Sequence, residues 1–425
     1  MRDPQVFVIV GAGLAGAKAV QTLRESGFGG EIVLLGEEPE RPYERPPLSK
    51  GLLLDTAERE SVFVHEPGWY AAHDVDLRTA TRISAVDRAA RQVELGDGQR
   101  IGYDALLLAT GATPRRLDVP GADLDGVLPL RTLADSDRIA AALVGGGHLV
   151  VVGAGWIGLE VAAAARQRGA TVTVVEHSEL PLLRVLGPGI ARVFADMHRD
   201  HGVAFRFGAA VQAFRGKGRV SAVVLGDGTE LPADAVVVGI GVRPNVALAE
   251  QAGLTVDNGV VVDQALRSSD PRVYAAGDIA NAYHPVYGTH LRVEHWATAL
   301  HSGPAAARSM LGAEVVYDRL PYFYTDQYDL GMEYTGYAPP GGYDAVVVRG
   351  DLAKREFIAF WTAGGRVMAG MNVDVWDVTP HIEDLIRSSK PVDLARLADP
   401  GIALDDITPA DTQPFASGRS TDHDQ

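Results

Sequence analysis

The chain has 425 residues, of which 46% are hydrophobic and 22% charged, a composition typical of a globular protein with two or three domains. Lysine and arginine total 39 against 55 aspartates and glutamates, and the resulting net charge of −16 argues against nucleic acid or anionic membranes as partners. Because the sequence contains no cysteine, disulfide bonds, cysteine-ligated metal clusters and thiol chemistry are excluded.

The first predicted elements form a βαβ unit. Residues 6–10 are a short apolar strand that runs into a glycine-rich turn, and a helical pattern follows through Leu23. A second apolar strand, residues 32–35, ends at Glu37. No apolar run in the sequence reaches membrane-spanning length and no leader-like segment precedes the first strand, so we expect a cytoplasmic protein.

The same plan recurs about 140 residues later. Residues 148–152 form a predicted strand, a glycine-rich turn and an alanine-rich helix follow, and the strand 172–175 closes at Glu176. Two copies of one unit indicate two related nucleotide-binding domains. Further along the chain, residues 273–278 read as a strand that runs into a Gly-Asp turn.

Each glycine-rich turn follows a strand, opens a helix and is followed about 20 residues later by an acid, which is the context of a dinucleotide-binding fingerprint. In such a turn the glycines permit the tight bend and the close approach of a pyrophosphate, and the first N–H groups of the helix bind its charge. The acid accepts hydrogen bonds from ribose hydroxyls. The predicted residues of the two turns and their acids are Gly11, Gly13, Leu14, Ala15, Gly16 and Glu37, and Gly153, Gly155, Trp156, Ile157, Gly158 and Glu176.

The two turns, together with residues 109–111 and 274–278, resemble the glutathione-reductase-like flavoproteins. Three further segments, residues 45–50, 292–296 and 321–328, narrow the resemblance. With them the sequence is similar to the FAD-dependent ferredoxin reductases, the group of putidaredoxin reductase and the reductase components of aromatic-ring dioxygenases. The resemblance covers roughly residues 5–400. It implies FAD in the first nucleotide fold and NAD(P)H in the second. Since a carboxylate at Glu176 repels the 2′-phosphate of NADPH, we expect NADH.

The predicted fold class is therefore α/β, with two Rossmann-like dinucleotide-binding domains, each a three-layer structure around a mostly parallel sheet, and a smaller α+β C-terminal domain. The FAD-binding domain is predicted to be discontinuous, comprising residues 1–115 and 246–320. Residues 116–245 are predicted to bind NAD(P)H, residues 321–405 to form the C-terminal interface domain, and residues 406–425 to be a disordered tail.

The resemblance also implies roles for individual residues. Asp278 would bind a ribityl hydroxyl, Arg131 the pyrophosphate, Val86 adenine, and Trp296 the pyrimidine end of the flavin. A helix cap, a surface charge and plain core packing remain the alternatives for Asp278, Arg131 and Trp296. The full set of implied contacts, with Gly241 facing the nicotinamide, adds Arg45, Lys50, Ala109, Thr110, Gly111, Gly277, Glu294 and His295.

Lys50 and Glu160 are the residues for which the resemblance implies a catalytic role. In the family a matching lysine and glutamate meet beside flavin N5 and the nicotinamide, where a cation favours the anionic reduced flavin. From the sequence alone, an exposed helix-end glutamate and a loop lysine are the alternative. We expect Glu160→Ala to slow flavin reduction while FAD remains bound.

Without cysteine, electrons must leave the flavin directly. The resemblance implies hydride transfer from NADH to FAD and single-electron transfer to an acidic two-iron ferredoxin, which feeds a cytochrome monooxygenase or a ring-hydroxylating dioxygenase. Arginines such as Arg292, Arg308 and Arg319 would dock it. Where the family has a Trp, this chain has Tyr324, followed by Thr325.

Two alternative functions remain open: an NADH reductase of a small acceptor, such as a quinone or ascorbyl radical, and a redox-responsive interaction protein like apoptosis-inducing factor. We expect a monomer or a weak dimer. The spacing of His198 and His201 is metal-like, but without a further ligand we interpret both histidines as solvated and expect no metal site.

Overall fold

The computed structural model describes residues 5–407 and divides into two compact units, with the boundary along the chain between Tyr334 and Thr335. The predicted tail, residues 406–425, lies outside the described residues from position 408 onward. Among the described residues no helix is long and apolar enough to cross a membrane.

The first parallel sheet is built from β-branched and leucine-rich runs whose central residues are inaccessible to solvent. Every neighbouring pair in it is parallel, so the loops after its strands gather at one edge. Its strands, in spatial order, are Val273–Ala275, Ala105–Leu108, Val6–Val10, Glu31–Leu35 and Val75–Arg78.

The second parallel sheet repeats this arrangement. Its first βαβ unit contains the helix Trp156–Gln167, and the helix Leu183–Asp200 follows, with a kink at Gly187 before Pro188. The strands, in spatial order, are Ala204–Arg206, Thr171–Val175, His148–Val152, Ala235–Val238 and Val127–Leu128. The predicted pair of Rossmann-like folds is therefore confirmed.

Smaller sheets and short helices complete the first unit. Three-stranded sheets are formed by Ile83–Asp87, Gln92–Leu95 and Arg100–Gly102, by Val211–Lys217, Arg219–Leu225 and Glu230–Pro232, and by Val260–Val262, Ala280–His284 and Thr289–Leu291. The strands Ala112–Pro114 and Val242–Pro244 pair antiparallel. The strand Tyr322–Gln327 lies near the end of this unit, and Leu330–Gly336 follows it. Further helices are Leu14–Glu25, Gly51–Leu54, Trp69–Ala72, Leu133–Ala142, Ala247–Gln251 and Trp296–Met310, with 3₁₀ turns at Pro46–Ser49, Arg59–Val62 and Gly277–Ile279.

In the second unit three strands pair antiparallel, namely Ala345–Asp351, Glu356–Ala363 and Arg366–Val373. Phe357, Phe360 and Trp361 of the central strand are wholly buried. The helices Thr379–Ser388 and Leu394–Ala398 and the 3₁₀ turn Leu404–Asp406 follow. The predicted smaller α+β domain at the C-terminus is therefore confirmed, and the pairing of these three strands is antiparallel.

Two helices of the first unit, Leu14–Glu25 and Trp296–Met310, cross at very short range. A Cβ atom added to Gly303 would lie 2.2 Å from the carbonyl oxygen of Ala15 and 3.0 Å from its carbonyl carbon. Because the obstructing atoms belong to the backbone, a larger residue would force the helices apart. The contact therefore fixes the start of the first helix, and with it the glycine-rich turn.

We expect Gly303→Ala to lower the free energy of unfolding by about 1–3 kcal/mol, since overpacking at this contact outweighs the better helix propensity of alanine. Gly189→Ala is the matched control, because no atom lies within 4 Å of the position of its added Cβ. Chemical denaturation of both variants measures the effect. Equal midpoints for the two variants would contradict the prediction.

Candidate functional site

The first glycine-rich turn has the geometry that the fingerprint predicts. Gly11 has φ +119°, and a Cβ there would lie 2.1 Å from the carbonyl oxygen of Ala109. Gly16 packs equally closely, because its Cβ would lie 2.1 Å from the carbonyl oxygen of Gly11. No atom lies within 4 Å of a Cβ added to Gly13. The turn is therefore packed against the protein backbone at Gly11 and Gly16 and leaves open space at Gly13.

The second turn repeats the pattern. Added Cβ atoms would lie 2.4 Å from the oxygen of Gly239 at Gly153 and 2.2 Å from the oxygen of Gly153 at Gly158, whereas Gly155 has open space. The Glu176 carboxylate accepts hydrogen bonds from the backbone N–H of Ala154, at 2.7 Å, and of Ser178, at 2.8 Å. Its position beside the turn is therefore fixed.

Both helices that follow these turns begin without a side-chain cap, at Gly13 and Gly155. The helix Leu133–Ala142 differs, because Thr132 and Asp135 form a complete capping box at its start. Uncapped N–H groups and the positive end of the helix dipole bind anions. The two turns thus have the donors and the open face that a dinucleotide pyrophosphate requires. Leu14 and Ala15 at the first helix start are buried side chains, so their backbone is what faces this region.

Lys50 and Glu160, which are 110 residues apart, form an ion pair of 2.6 Å. Glu160 lies in the first turns of the helix Trp156–Gln167 and is only 5% exposed, so it is not an exposed helix-end residue. Its carboxylate also accepts hydrogen bonds from the hydroxyls of Ser49 and, at 2.6 Å, of Thr325. Three donors compensate this buried charge, as its burial requires.

Arg131 and Asp278, expected at the pyrophosphate and at the ribityl chain of FAD, form an ion pair of 2.8 Å, and neither is a free surface charge. Arg45 donates to the carbonyl oxygen of Arg131 and, at 2.7 Å, to Glu38. Tyr43 donates to the same glutamate, and burial raises the pKa of its hydroxyl. The predicted Arg45, Arg131 and Asp278 are therefore brought together.

Aromatic side chains gather near the Lys50 ammonium. Its Nζ lies 5.5 Å from the ring centre of Tyr324, and the Trp296 ring meets the Tyr324 ring edge to face at 6.0 Å. His295 packs at 4.5 Å from Phe323, and burial lowers its pKa to about 4. His295 is therefore neutral at neutral pH.

Two buried polar atoms give a further reason why the chain can hold FAD. Trp296 Nε1 and His295 Nδ1 are buried and make no hydrogen bond to any described residue. Buried polar atoms ordinarily have partners, and the polar edge of a flavin supplies such partners. Together with the open face at Gly13, these atoms make the chain suited to hold FAD.

The other predicted residues are more scattered. Thr110 exchanges two hydrogen bonds with Asn245, Gly111 lies beside Arg131, and Gly277 donates its N–H to Ser302. Gly241 has φ +95° next to the antiparallel strand pair. Glu37 is largely exposed, and Glu294 forms an ion pair with Arg292 at 2.6 Å. Val86 lines an open cavity of about 470 Å³, and no other predicted site residue lines that cavity. Trp156 packs against Phe194 and Phe323, whereas Ile157 is 47% exposed.

Sequence reasoning missed the roles of Ser49, Asn245 and Glu38. The sequence does place Ser49 directly before Lys50, but nothing local shows that both reach Glu160. The interpretation of His198 as solvated is wrong. His198 is fully buried, and its Nε2 lies 2.8 Å from the side-chain oxygen of Gln327.

The chain matches known proteins over nearly its whole length. A family model described as pyridine nucleotide-disulphide oxidoreductase matches residues 6–303, and one described as reductase C-terminal matches residues 322–408. The ferredoxin–NAD(+) reductase component of an anthranilate 1,2-dioxygenase system from Burkholderia cepacia is 40% identical over 406 residues, covering 95% of this chain and 98% of that protein.

Putidaredoxin reductase from Pseudomonas putida is 38% identical over 409 residues, covering 95% of this chain and 96% of that protein. The crystal structure of a covalent putidaredoxin reductase–putidaredoxin complex matches with a TM-score of 0.90 and 37% identity, covering 95% of this chain and 98% of that chain. The resemblance inferred from the motifs is confirmed. The chain belongs to the pyridine nucleotide-disulphide oxidoreductase family and is a flavin-dependent oxidoreductase that uses NAD(P)H.

Proposed function

We propose that this protein is an NADH-dependent ferredoxin reductase, which delivers electrons to an acidic two-iron ferredoxin that serves a cytochrome monooxygenase or a ring-hydroxylating dioxygenase. The observation that carries the proposal is the buried Lys50–Glu160 pair, since it joins the segment that follows the first βαβ unit to the helix of the second βαβ unit. The relatives named as ferredoxin reductases support it.

The sheet topology supports the predicted division of the chain. The strand Val273–Ala275 returns to the first sheet, and the pair Ala112–Pro114 with Val242–Pro244 marks where the chain leaves that part and re-enters it. We propose that residues 1–115 and 246–320 bind FAD and that residues 116–245 bind NADH. Residues 321–405 are the proposed interface region.

FAD would supply the chemistry of hydride acceptance and single-electron release at this site. Gly11, Gly13 and Gly16 and the first N–H groups of the helix Leu14–Glu25 would hold it. The Lys50 ammonium would then place a positive charge near the flavin ring, and Glu160 fixes that ammonium. Since the sequence contains no cysteine, no thiol on this chain receives the electrons.

We expect Glu160→Gln to slow flavin reduction by NADH by about 10- to 100-fold, because the amide keeps the shape of the side chain but no longer fixes the Lys50 ammonium through an ion pair. The FAD content per chain should not change. Rapid-mixing absorbance measures the rate, and the flavin spectrum measures the content. Glu179→Gln removes an exposed carboxylate and is the control. Unchanged reduction kinetics in Glu160→Gln would contradict the proposed role.

The proposed preference for NADH depends on the fixed carboxylate of Glu176. We expect Glu176→Gln to reduce the ratio of kcat/KM for NADH to kcat/KM for NADPH by about tenfold or more, since a like charge beside the 2′-phosphate is removed. Steady-state assays with both nucleotides measure this ratio. A wild-type enzyme that uses NADPH as well as NADH would refute the assignment, and so would an unchanged ratio in the variant.

The proposed docking of an acidic ferredoxin needs exposed cations on an acidic chain. Arg292 is ruled out as a free docking cation because it is 10% exposed and bound to Glu294, whereas Arg308 and Arg319 are exposed. We expect the rate of ferredoxin reduction to fall as ionic strength rises and Arg308→Glu to raise the KM for ferredoxin several-fold.

Lys217→Glu makes the same charge change on the antiparallel sheet of residues 211–232 and should leave this KM unchanged. A rate that does not depend on salt would contradict electrostatic docking. Rapid reduction of a quinone or of ascorbyl radical without any ferredoxin would instead favour the small-acceptor function. Slow turnover with a persistent complex with NADH would favour the interaction protein.

A further inference from the structure

A line of hydrogen-bonded side chains leads from Glu160 into the protein. Thr325 donates to Glu160 Oε1 at 2.6 Å, and Gln327 donates to the Thr325 hydroxyl at 3.2 Å. The Gln327 carbonyl lies 2.8 Å from His198 Nε2, and the Tyr328 hydroxyl lies 3.2 Å from His198 Nδ1. Thr325, Gln327 and His198 are each no more than 1% exposed.

The direction of every hydrogen bond in this line follows from its first member. An ionised carboxylate only accepts, so the single hydroxyl hydrogen of Thr325 points to Glu160. The Thr325 oxygen must then accept from Gln327, which turns the amide so that its carbonyl faces His198. His198 Nε2 therefore carries a hydrogen.

The protonation state of His198 determines the direction of the last hydrogen bond in the line. Burial lowers the pKa of His198 to about 4, so the ring is neutral at neutral pH and has one N–H group. With the hydrogen on Nε2, the bare Nδ1 accepts from the Tyr328 hydroxyl. Tyr328 in turn stacks on His201 at 3.7 Å. Four consecutive hydrogen bonds thus point the same way, toward the carboxylate.

Hydrogen bonds aligned in one direction polarise one another, and the positive ends of their dipoles here face the negative charge. We propose that Thr325, Gln327 and His198 are positioning residues, which hold the Glu160 carboxylate in place and aimed at Lys50. The inference rests on the function proposed above for the Lys50–Glu160 pair. It assigns a role to Thr325, the position that follows Tyr324.

The test is a double-mutant cycle in the FAD-loaded protein. Thr325→Val keeps the shape of the side chain but removes the donor, and we expect flavin reduction by NADH to become about tenfold slower, since hydrogen bonds to charged groups are the strong ones. Thr325→Ser should restore the rate. In a Glu160→Gln background the same Thr325→Val change should alter the rate less than twofold.

A second readout does not depend on turnover. Equilibrium titration measures the midpoint potential of bound FAD, which should become more negative in Thr325→Val. In Thr325→Ser the potential should equal that of the wild type. In the Glu160→Gln background, Thr325→Val should not change the potential. Thr22→Val is the matched control, because among residues 5–407 this buried hydroxyl bonds only to the carbonyl oxygen of Lys18 in its own helix.

Gln327→Met keeps the inference testable if Thr325→Val does not fold. It removes the donor to Thr325, and a two- to fivefold slower reduction is expected, again absent in the Glu160→Gln background. Equal losses with and without Glu160, or no difference between the Val and Ser variants, would overturn the positioning role alone. If Glu160→Gln itself leaves flavin reduction unchanged, the proposed function of the pair fails first, and this inference fails with it.

Discussion

The burial of one carboxylate constrains much of the first unit. An ionised group moved out of water costs several kcal/mol unless charges and donors replace its hydration. For Glu160 these come from Ser49 and Lys50 in one segment and from Thr325 in another, which are 111, 110 and 165 residues away along the chain. The chain must therefore bring three distant segments together for Glu160 to be tolerated. A site assembled in this way forms only in the complete first unit.

The glycine turns show what a sequence can predict. Their geometry is local, because the strand, the turn and the helix lie within about 20 residues, and the close contacts are made by backbone. Gly11 and Gly153 have positive φ, and Gly13 and Gly155 face open space, as the motif predicts. The recurrence of the unit also predicted two parallel sheets. Both predictions, the turn geometry and the two parallel sheets, depend on hydrophobic periodicity and on residue size, which can be read directly from the sequence.

The partners of Glu160 show what a sequence cannot predict. Ser49 and Thr325 have no local pattern that marks them as donors, because their role depends on how distant segments pack. His198 is the clearest case. The sequence shows no further ligand beside its metal-like spacing from His201, which favoured solvated side chains, but Gln327 and Tyr328 supply hydrogen-bond partners to the buried ring. Only tertiary structure decides whether a helix-end histidine meets water or a buried amide.

The arrangement of donors also bears on the kind of chemistry that Glu160 performs. The Glu160 carboxylate accepts hydrogen bonds from an ammonium and from two hydroxyls, so donors of this chain already occupy both of its oxygens. Delivery of a proton along the line is disfavoured because it would have to pass through the side-chain amide of Gln327, which is a very weak acid and a very weak base. General acid–base catalysis requires a group that changes its protonation state during the reaction. The surroundings of Glu160 fit an electrostatic role, in which, on the function proposed above, it holds the Lys50 ammonium in place.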